Sequence, residues 1–324
     1  MNYHKKQSSF PEILVIGKGR LASSLPVALA TAGSRVTVCA NEENNLRSAI
    51  ENHCRDIYEK CQVSVLDHIY LYKSDDFPEV KTLTFIVGLM DKAEIQEILE
   101  RLENGGNTDA IIAISTDHIP LTELQKGRLK PSNILIVNWT EPAHTTLFLE
   151  IIYNHATDPA IVRQLEHSAR FDWGKDPYKV EAEIGVRGRM TAAMIREALY
   201  LIEHGYANIE DIDRACRNDA GTYLPFAGNF QYMDLMGTYA YGVVMEKLNK
   251  ELSKASTAPD FFTAPFPSSD QDAERFQPFF YQYTSGDMEK WEKRMRNFSF
   301  EIRSLMEKYP FEYLRNSDES RDNP

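Results

Sequence analysis

A short apolar run near the start of the chain breaks into two closely spaced glycines. Residues 13–16 read Ile-Leu-Val-Ile, and the segment Gly17-Lys18-Gly19-Arg20-Leu21-Ala22 follows directly. Gly17 permits a tight turn out of a buried strand, and Gly19 leaves bare backbone for a close approach. Ala22 lets the next helix lie close to the sheet, and the start of that helix attracts anions. This Gly-x-Gly-x-x-Ala spacing predicts a site for the pyrophosphate of a dinucleotide.

The residues after this motif complete a strand–helix–strand unit. Apolar residues recur at helical spacing up to Gly33, and residues 35–39 form a second apolar strand. A glycine turn in an α/β fold without a ligand is the alternative, but this order of elements favours a bound dinucleotide. The predicted cofactor is NAD. We expect its binding residues to be Gly17, Gly19, Arg20, Leu21, Ala22 and Asn41.

The end of the second strand bears on the choice between NAD and NADP. The strand ends at Ala40-Asn41, where an NAD-binding unit usually has an acidic residue for the ribose hydroxyls. Asn41 or Glu42 could accept those hydroxyls, and no arginine follows directly to favour a 2′-phosphate. NAD is therefore the expectation, with NADP as the alternative.

The composition argues against several classes of protein. The formal net charge is -12 and no block of Lys or Arg offsets it, so we expect no nucleic-acid partner. The longest apolar runs are strand-sized and the first residues lack the apolar core of a signal peptide. We therefore expect no membrane contact and a cytoplasmic location. The 4 cysteines lack Cys-x-x-Cys spacing and the 8 histidines lack His-x-x-x-His spacing, which predicts no disulfide framework and no metal site.

The chain of 324 residues is long enough for two domains. Strand-like and helical segments alternate at first, which predicts a Rossmann-type α/β domain with a doubly wound, mainly parallel sheet over residues 1–184. The later predicted strands are 82–88, 110–114, 134–137, 147–152 and 178–182. From Met190 onward apolar residues recur only at helical spacing, so an all-α C-terminal domain is expected over residues 185–315. The polar residues 316–324 are expected to be a disordered tail.

Four segments in the second half of the chain occur in the same order as in a known family. They are Gly174-Lys175-Asp176-Pro177, Glu197-Ala198 with Gly205 and Asp213, Pro225-Phe226-Ala227-Gly228-Asn229-Phe230 with Asp234 and Gly237, and Phe280-Tyr281-Gln282-Tyr283. Together with the glycine motif, they resemble the L-3-hydroxyacyl-CoA dehydrogenase family over nearly the whole chain. The resemblance implies NAD(P)-dependent hydride transfer at C3 of an acyl thioester and a role in fatty acid metabolism. It also implies a homodimer formed through the C-terminal domain.

The family's catalytic positions carry different residues here. Its His-Phe-Phe-Asn-Pro segment corresponds to Asn138-Trp139-Thr140-Glu141-Pro142, so Asn138 stands in place of the catalytic histidine. The carboxylate that orients the family's histidine corresponds to Glu150. Asp117 stands in place of a substrate-binding serine, and Gly188-Arg189 replaces the family's Asn-Arg. Because an amide does not take a proton near neutral pH, Asn138 cannot be the base.

Several titratable residues near these positions could supply the base instead. His118 lies next to Asp117, and His144 lies six residues beyond the asparagine. Each histidine is either a base or a solvated or hydrogen-bonded side chain without a catalytic role. Asp117, Glu141 and Glu150 either form a cluster with one raised pKa or cap the loops after the strands. The predicted catalytic set, in a cleft between the two domains, is Glu150, Asn138, Asp117, His118, His144 and Glu141.

Two functions stay open. The first is an oxidoreductase with a non-standard base that acts on a secondary alcohol or ketone, with a small-molecule substrate such as 3-hydroxyacyl-CoA. The alternative is a non-catalytic NAD(P)-binding protein that kept the fold and lost the base. Lys175, Arg187 and Arg189 are either a basic rim for CoA or surface residues that aid solubility.

A C-terminal segment has apolar residues three and four positions apart, which predicts one amphipathic helix. Its apolar stripe comprises Met288, Trp291, Met295, Phe298, Ile302, Leu305 and Tyr309. The stripe either packs onto its own helical domain or also helps to cover a homodimer interface.

Overall fold

The computed structural model describes residues 8–40, 43–72, 77–78, 82–106, 109–259, 280–281, 284 and 286–310. Asn41, predicted to bind the cofactor, and the tail over residues 316–324 lie outside these ranges. The chain divides into two compact units, Met1–Met190 and Thr191–Pro324.

The first unit is built on one eight-stranded sheet. Its strands are β1 (Glu12–Gly17), β2 (Arg35–Cys39), β3 (Ile69–Tyr72), β4 (Leu83–Val87), β5 (Ile111–Ile114), β6 (Ile134–Trp139), β7 (Phe148–Tyr153) and β8 (Asp176–Glu181). They lie in the order β3-β2-β1-β4-β5-β6-β7-β8, and neighbouring strands are parallel except for the antiparallel pair β6–β7. The predicted Rossmann-type, mainly parallel α/β sheet is confirmed.

Within the described ranges, five α-helices lie between these strands. They are α1 (Gly19–Thr31), α2 (Glu43–Cys61), α3 (Lys92–Asn104), α4 (Leu121–Gln125) and α5 (Pro159–Phe171). All residues of β4, β5 and β6 are buried, as expected for strands that read as continuous apolar runs in a covered sheet. Helix α1 contains Pro26, which lacks the N–H for one helical hydrogen bond.

Three strands differ from the sequence prediction by two residues or more, namely β3, β6 and β8, which begins at Asp176 instead of residue 178. β3 was not predicted, because it is a four-residue edge strand in which half-buried and exposed residues alternate. β6 extends to Trp139, two residues beyond the predicted end at Val137. The extension follows from pairing with β7, in which Asn138 lies opposite Glu150.

The regular elements among the described residues of the second unit are all helices, which confirms the predicted all-α C-terminal domain. α6 (Val186–Glu203) starts in the first unit, and α7 (Ile209–Ala215), a π-helical turn (Cys216–Ala220), α8 (Gly221–Met236), α9 (Thr238–Leu248) and α10 (Asp287–Lys308) follow. α8 bends at Gly228, where φ is 63°.

Helix α10 carries the predicted apolar stripe, which is only partly buried. Its buried residues are Ser299, Phe300 and Arg303, on a face next to the stripe. Trp291 and Phe298, in the middle of the stripe, are 50% and 55% exposed. The middle of the stripe is therefore about half exposed in the described residues, whereas Met288 and Ile302 are half-buried, and both interpretations of the stripe stay predictions.

Candidate active site

Two glycines shape the loop between β1 and α1, each for a different physical reason. Gly17 has a φ of 149°, and a Cβ there would lie 1.8 Å from the carbonyl oxygen of Val87 at the end of β4. Gly19 has a φ of 76°, with no atom within 4 Å of the place a Cβ would occupy. Gly17 is thus required by the contact between β1 and β4, whereas the space beside Gly19 is open to a ligand.

The start of α1 suits an anion because no side chain of its own caps it. The N-cap residue Lys18 makes no capping hydrogen bond, and the first turn contains no acidic residue. Lys18 Nζ instead lies 3.2 Å from Oε1 of Glu94. Leu21 and Ala22 are buried, so their side chains serve the packing of α1, and Arg20 is exposed. The backbone N–H groups and the dipole of this helix start fit the pyrophosphate of NAD.

Several of the other predicted residues lie near the carboxyl ends of parallel strands, at the same end of the sheet as the loop between β1 and α1. Parallel strands of an open α/β sheet bind ligands at their carboxyl ends, where the strand order reverses. Here β1 lies between β2 and β4, so the strand order reverses at β1 and the carboxyl end of β1 is the expected ligand site. Residues 115–117 follow β5, and Asn138 lies near the end of β6.

The amide of Asn138 is completely buried and fully hydrogen bonded. Its Oδ1 accepts hydrogen bonds from the backbone N–H of Thr116 at 3.0 Å and the hydroxyl of Ser115 at 3.3 Å. Its Nδ2 donates to the carbonyl oxygen of Thr116 at 3.1 Å, Oδ1 of Asp117 at 3.3 Å and Oε2 of Glu150 at 3.2 Å. The protein itself therefore uses both donor protons and the acceptor capacity of this amide.

Glu150 is a completely buried carboxylate that caps the start of α6. Its Oε1 accepts hydrogen bonds from the backbone N–H groups of Val186 at 2.7 Å and Arg187 at 3.3 Å. The same oxygen accepts a hydrogen bond from the hydroxyl of Tyr178 at 2.8 Å. The positive end of the α6 dipole further stabilises this negative charge.

Two neighbours show how closely Glu150 is enclosed. A Cβ on Gly185 would lie 2.1 Å from Oε2 of Glu150, so only glycine fits. Burial raises the pKa of the Tyr178 hydroxyl well above its ordinary value, and the hydrogen bond to Glu150 raises it further. Tyr178 thus stays a neutral donor to the carboxylate at neutral pH.

Asp117 is the more accessible carboxylate beside Asn138. Its side chain is 38% exposed, whereas Glu150 is 0% exposed. Oδ2 of Asp117 lies 2.6 Å from Nη2 of Arg187, whose Nη1 donates to the carbonyl oxygen of Trp139 at 2.6 Å. Arg187 therefore holds Asp117 at the edge of the cluster.

The structure places the remaining predicted catalytic residues in other surroundings. Exposed His118 has its Nε2 3.1 Å from the carbonyl oxygen of Met90. Glu141 is exposed, and buried His144 lies against His53, with ring centroids 4.7 Å apart. The polar groups around Asn138 thus include two of the three carboxylates proposed as a cluster, Asp117 and Glu150.

Sequence reasoning missed the roles of Tyr178 and Arg187. Tyr178 was assigned only to a strand, although the parallel pairing of β7 and β8 sets it directly opposite Glu150. The register of β7 against β8, if known, would have identified Tyr178 as a partner of Glu150. Arg187 was assigned to a CoA rim or to solubility, and its ion pair with Asp117 depends on the turn into α6, for which the sequence has no signal.

Lys175 is a further correction. It is buried, and its Nζ donates hydrogen bonds to the carbonyl oxygens of Ala143 and Thr146. It is therefore neither part of a basic rim nor a solubilising surface residue. Its ammonium group stabilises the conformation of residues 143–146, which follow β6.

Two family models match this chain in succession. The model described as 3-hydroxyacyl-CoA dehydrogenase, NAD binding domain, matches residues 12–184, and the model of the C-terminal domain matches residues 186–274. The chain belongs to the 3-hydroxyacyl-CoA dehydrogenase family. NAD is thereby confirmed as the cofactor of this dehydrogenase-family protein, and its class is that of the NAD-dependent oxidoreductases.

Individual relatives support the same family. A 5-formyl-3-hydroxy-2-methylpyridine 4-carboxylate 5-dehydrogenase of Mesorhizobium japonicum is 30% identical over 147 residues, which span 45% of this chain and 47% of the relative. A 3-hydroxybutyryl-CoA dehydrogenase of Mycobacterium tuberculosis is 22% identical over 261 residues, 76% of this chain and 88% of the relative. An L-carnitine dehydrogenase of Burkholderia mallei is 29% identical over 143 residues, 44% of each chain.

Solved structures share the fold. The crystal structure of an NAD+-dependent 5-formyl-3-hydroxy-2-methylpyridine 4-carboxylic acid 5-dehydrogenase matches with a TM-score of 0.80 and 20% identity, over 94% of this chain and 100% of the other. The 3-hydroxyacyl-CoA dehydrogenase of Archaeoglobus fulgidus matches with a TM-score of 0.62 and 20% identity, over 93% and 99%. None of the helices in the described residues has an apolar stretch long enough to cross a lipid bilayer.

Proposed function

We propose that this protein interconverts a secondary alcohol and a ketone with NAD, on a 3-hydroxyacyl substrate. The proposal rests on one observation. The Gly17–Gly19 loop and the polar groups around Asn138 both lie at the carboxyl ends of the parallel strands. When bound, NAD supplies the hydride acceptor or donor. The protein must then position the substrate oxygen and take or return its proton.

We infer that Asp117 is the proton acceptor. Asn138 stands where the family has its histidine, but its amide is committed to its neighbours and does not titrate near neutral pH. Glu150 is enclosed by Gly185 and accepts four hydrogen bonds, so a substrate hydroxyl does not reach it. Asp117 contacts the same amide and remains partly exposed.

The substrate class follows from the charges beside this carboxylate. Lys175 is buried, which leaves Arg187 and exposed Arg189 as the cations of the proposed CoA rim. The Arg187 guanidinium is 32% exposed and suits a thioester oxygen or a free carboxylate. We propose 3-hydroxyacyl-CoA as the first substrate and a small 3-hydroxy acid as the second, in line with relatives named 3-hydroxybutyryl-CoA and L-carnitine dehydrogenases.

The test is a substrate panel with the purified protein and Asp117→Asn. NADH oxidation by acetoacetyl-CoA and by short 3-oxo acids is expected in the parent, and a loss of at least about a hundredfold in kcat is expected in Asp117→Asn. NADH affinity should not change. Glu166→Gln is the matched control, because Glu166 also forms a partly exposed ion pair, with Lys179 at 2.8 Å.

Binding of NAD without turnover is the second candidate, favoured by the fully bonded amide at the family's base position. NADH binding with no oxidation on any substrate of the panel would support it. Equal activity of the parent and Asp117→Asn would instead reject Asp117 as the base.

We propose a homodimer formed through the second unit. Large apolar side chains lie exposed on several of its helices, including Phe230 at 82%, Tyr239 at 85% and Leu235 at 68%. Surfaces of this kind mark interaction sites more often than free surface. A cytoplasmic location and a role in fatty acid metabolism remain predictions from the sequence and the resemblance.

A further inference from the structure

Three side chains with metal-ligating atoms meet in the first unit, on elements far apart in the sequence. His53 and Asp56 lie one turn apart on α2, and His144 lies in the segment between β6 and β7. Oδ2 of Asp56 lies 3.8 Å from Nε2 of His144 and 4.0 Å from Nδ1 of His53. All three ligand atoms lie within 4.8 Å of one another.

The hydrogen bonds of Ser23 select the tautomer of neutral His53. The Ser23 hydroxyl donates its single proton to the carbonyl oxygen of Arg20 at 2.8 Å. Its oxygen lies 3.2 Å from Nε2 of His53 and must therefore accept the proton of that nitrogen. In neutral His53 the other nitrogen, Nδ1, then carries a lone pair directed toward Asp56.

A lone pair and a carboxylate that lie close together repel each other, and either a proton or a metal ion between them removes that repulsion. The side chains of His53 and Asp56 are each 12% exposed and that of His144 is 0% exposed, so water screens this repulsion only weakly. Two imidazole nitrogens and one carboxylate oxygen are a common ligand set for Zn²⁺ and related divalent ions. We propose that His53, Asp56 and His144 bind a divalent transition-metal ion of the Zn²⁺ class.

The distances agree with such an ion after a small contraction. Ligands at about 2.1 Å from a tetrahedral metal lie about 3.4 Å apart. The two carboxylate-to-imidazole distances of 3.8 and 4.0 Å exceed this by about half an ångström, and the two imidazole nitrogens lie within 4.8 Å of each other, so side-chain rotation has to bring the three ligand atoms closer together. Three protein ligands leave a fourth position for water.

The surroundings of the triad are built as a metal site requires. Ser23 orients His53 through the nitrogen that does not face Asp56, as partners of metal-bound histidines do. The next residue, Ser24, accepts a hydrogen bond at 3.1 Å from the backbone N–H of Ala143, beside His144. An ion here would tie α2 to the segment after β6. The sequence analysis predicted no metal site because it considered His-x-x-x-His spacing, which these three residues do not have.

The neighbouring cysteine is not a competing ligand. Cys54 Sγ is not among the described ligand atoms that lie within 4.8 Å of one another at this site. Cobalt spectroscopy distinguishes a site with a cysteine ligand from one without, because Co²⁺ bound to nitrogen and oxygen lacks the thiolate charge-transfer band.

The test uses the full chain after treatment with a chelator. Titration with Zn²⁺ and Co²⁺ should give one saturable site per chain, a higher melting temperature with Zn²⁺, and cobalt d–d bands without a thiolate band. Asp56→Asn, which keeps the size of the side chain, should weaken Zn²⁺ binding at least tenfold. Ser23→Ala should weaken it by about ten- to a hundredfold while all three ligands remain.

The exposed histidine His167 on α5 provides the matched control, and His167→Gln should bind Zn²⁺ like the parent. Absence of a saturable site in the parent would overturn the proposal. So would unchanged affinity in both Asp56→Asn and Ser23→Ala. A metal-free protein in which NMR shows His53 or His144 protonated at neutral pH and unaffected by Zn²⁺ would assign the triad to an imidazolium–carboxylate pair instead.

Discussion

Asn138 and Glu150 face each other across the antiparallel strands β6 and β7, and the amide Nδ2 of Asn138 donates a hydrogen bond to Oε2 of Glu150 at 3.2 Å. In the family that this chain resembles, a glutamate holds the catalytic histidine. The resemblance assigns that glutamate to Glu150 and that histidine to Asn138. On this interpretation the orienting contact is kept, while the group at its end is an amide that does not titrate near neutral pH.

Restoring a histidine at this position should create or increase activity on 3-hydroxyacyl-CoA. In Asn138→His, Glu150 would orient the imidazole and stabilise its protonated form. We expect acetoacetyl-CoA reduction to rise by about a hundredfold or more, measured as NADH oxidation. The larger ring in this buried position should lower the free energy of unfolding by about 1–3 kcal/mol.

Asn138→Gln is the control for this gain, because it adds volume without a titratable nitrogen. It should lose stability and gain no activity. A parent that already reduces acetoacetyl-CoA at a rate ordinary for enzymes would show that another residue serves as the base. The interpretation of Asn138 as a lost catalytic group would then be wrong.

A side chain at Gly19 should abolish NADH binding. In Gly19→Val the new atoms would enter the open space where we place the pyrophosphate. Gly127→Val is a close control, because Gly127 also has a positive φ, 74°, and also has no atom within 4 Å of the place a Cβ would occupy. Both variants carry the same kind of backbone strain, so a loss of NADH fluorescence enhancement in Gly19→Val alone would locate the site. Equal NADH affinity in the two variants would show that the pyrophosphate does not bind beside Gly19.

The fold was largely predictable because its central strands are apolar runs that a covered parallel sheet requires. The glycine motif was predictable because each glycine answers a steric need that recurs in dinucleotide sites. Edge strand β3 has no such run, since its residues alternate in burial. The end of β6 depends on the cross-strand partner Glu150, which local sequence does not reveal.

The candidate site was predictable only where strands fix positions. Asn138 and Glu150 meet because they lie opposite each other on the paired strands β6 and β7. Asp117 reaches Asn138 because it closely follows β5, the other neighbour of β6 in the sheet. His144 lies in the segment between β6 and β7, six residues after Asn138. That short separation in sequence does not determine which residues its side chain contacts. It meets His53 and Asp56, whose helix lies about ninety residues earlier in the chain.

Tyr178 should make the protein less stable at alkaline pH. Its folded pKa is raised by burial and by the hydrogen bond to Glu150, whereas an unfolded tyrosine loses its proton near about pH 10. Its stabilising contribution is therefore complete below about pH 10 and is lost as the pH rises toward the folded pKa. In urea unfolding, the advantage of the parent over Tyr178→Phe should stay constant up to about pH 10 and shrink above it.

Tyr58→Phe serves as the comparison, because Tyr58 on α2 is 53% exposed. Its difference from the parent should show little dependence on pH over the same range. A difference between the parent and Tyr178→Phe that grows above about pH 10 would have the wrong sign for a raised pKa.

Helix α10 should contribute to self-association. Trp291 and Phe298 are about half exposed, while the helix is anchored through Phe300, so charging the two exposed residues should spare its packing. We expect the double variant Trp291→Glu with Phe298→Glu, and the protein ending at Ser285, to dissociate to monomers at concentrations where the parent is a dimer in light scattering. Arg294→Glu, an exposed change on the same helix, should leave the dimer intact. A double variant that remains dimeric would show that the stripe is not needed for association, and a monomeric parent would reject the homodimer itself.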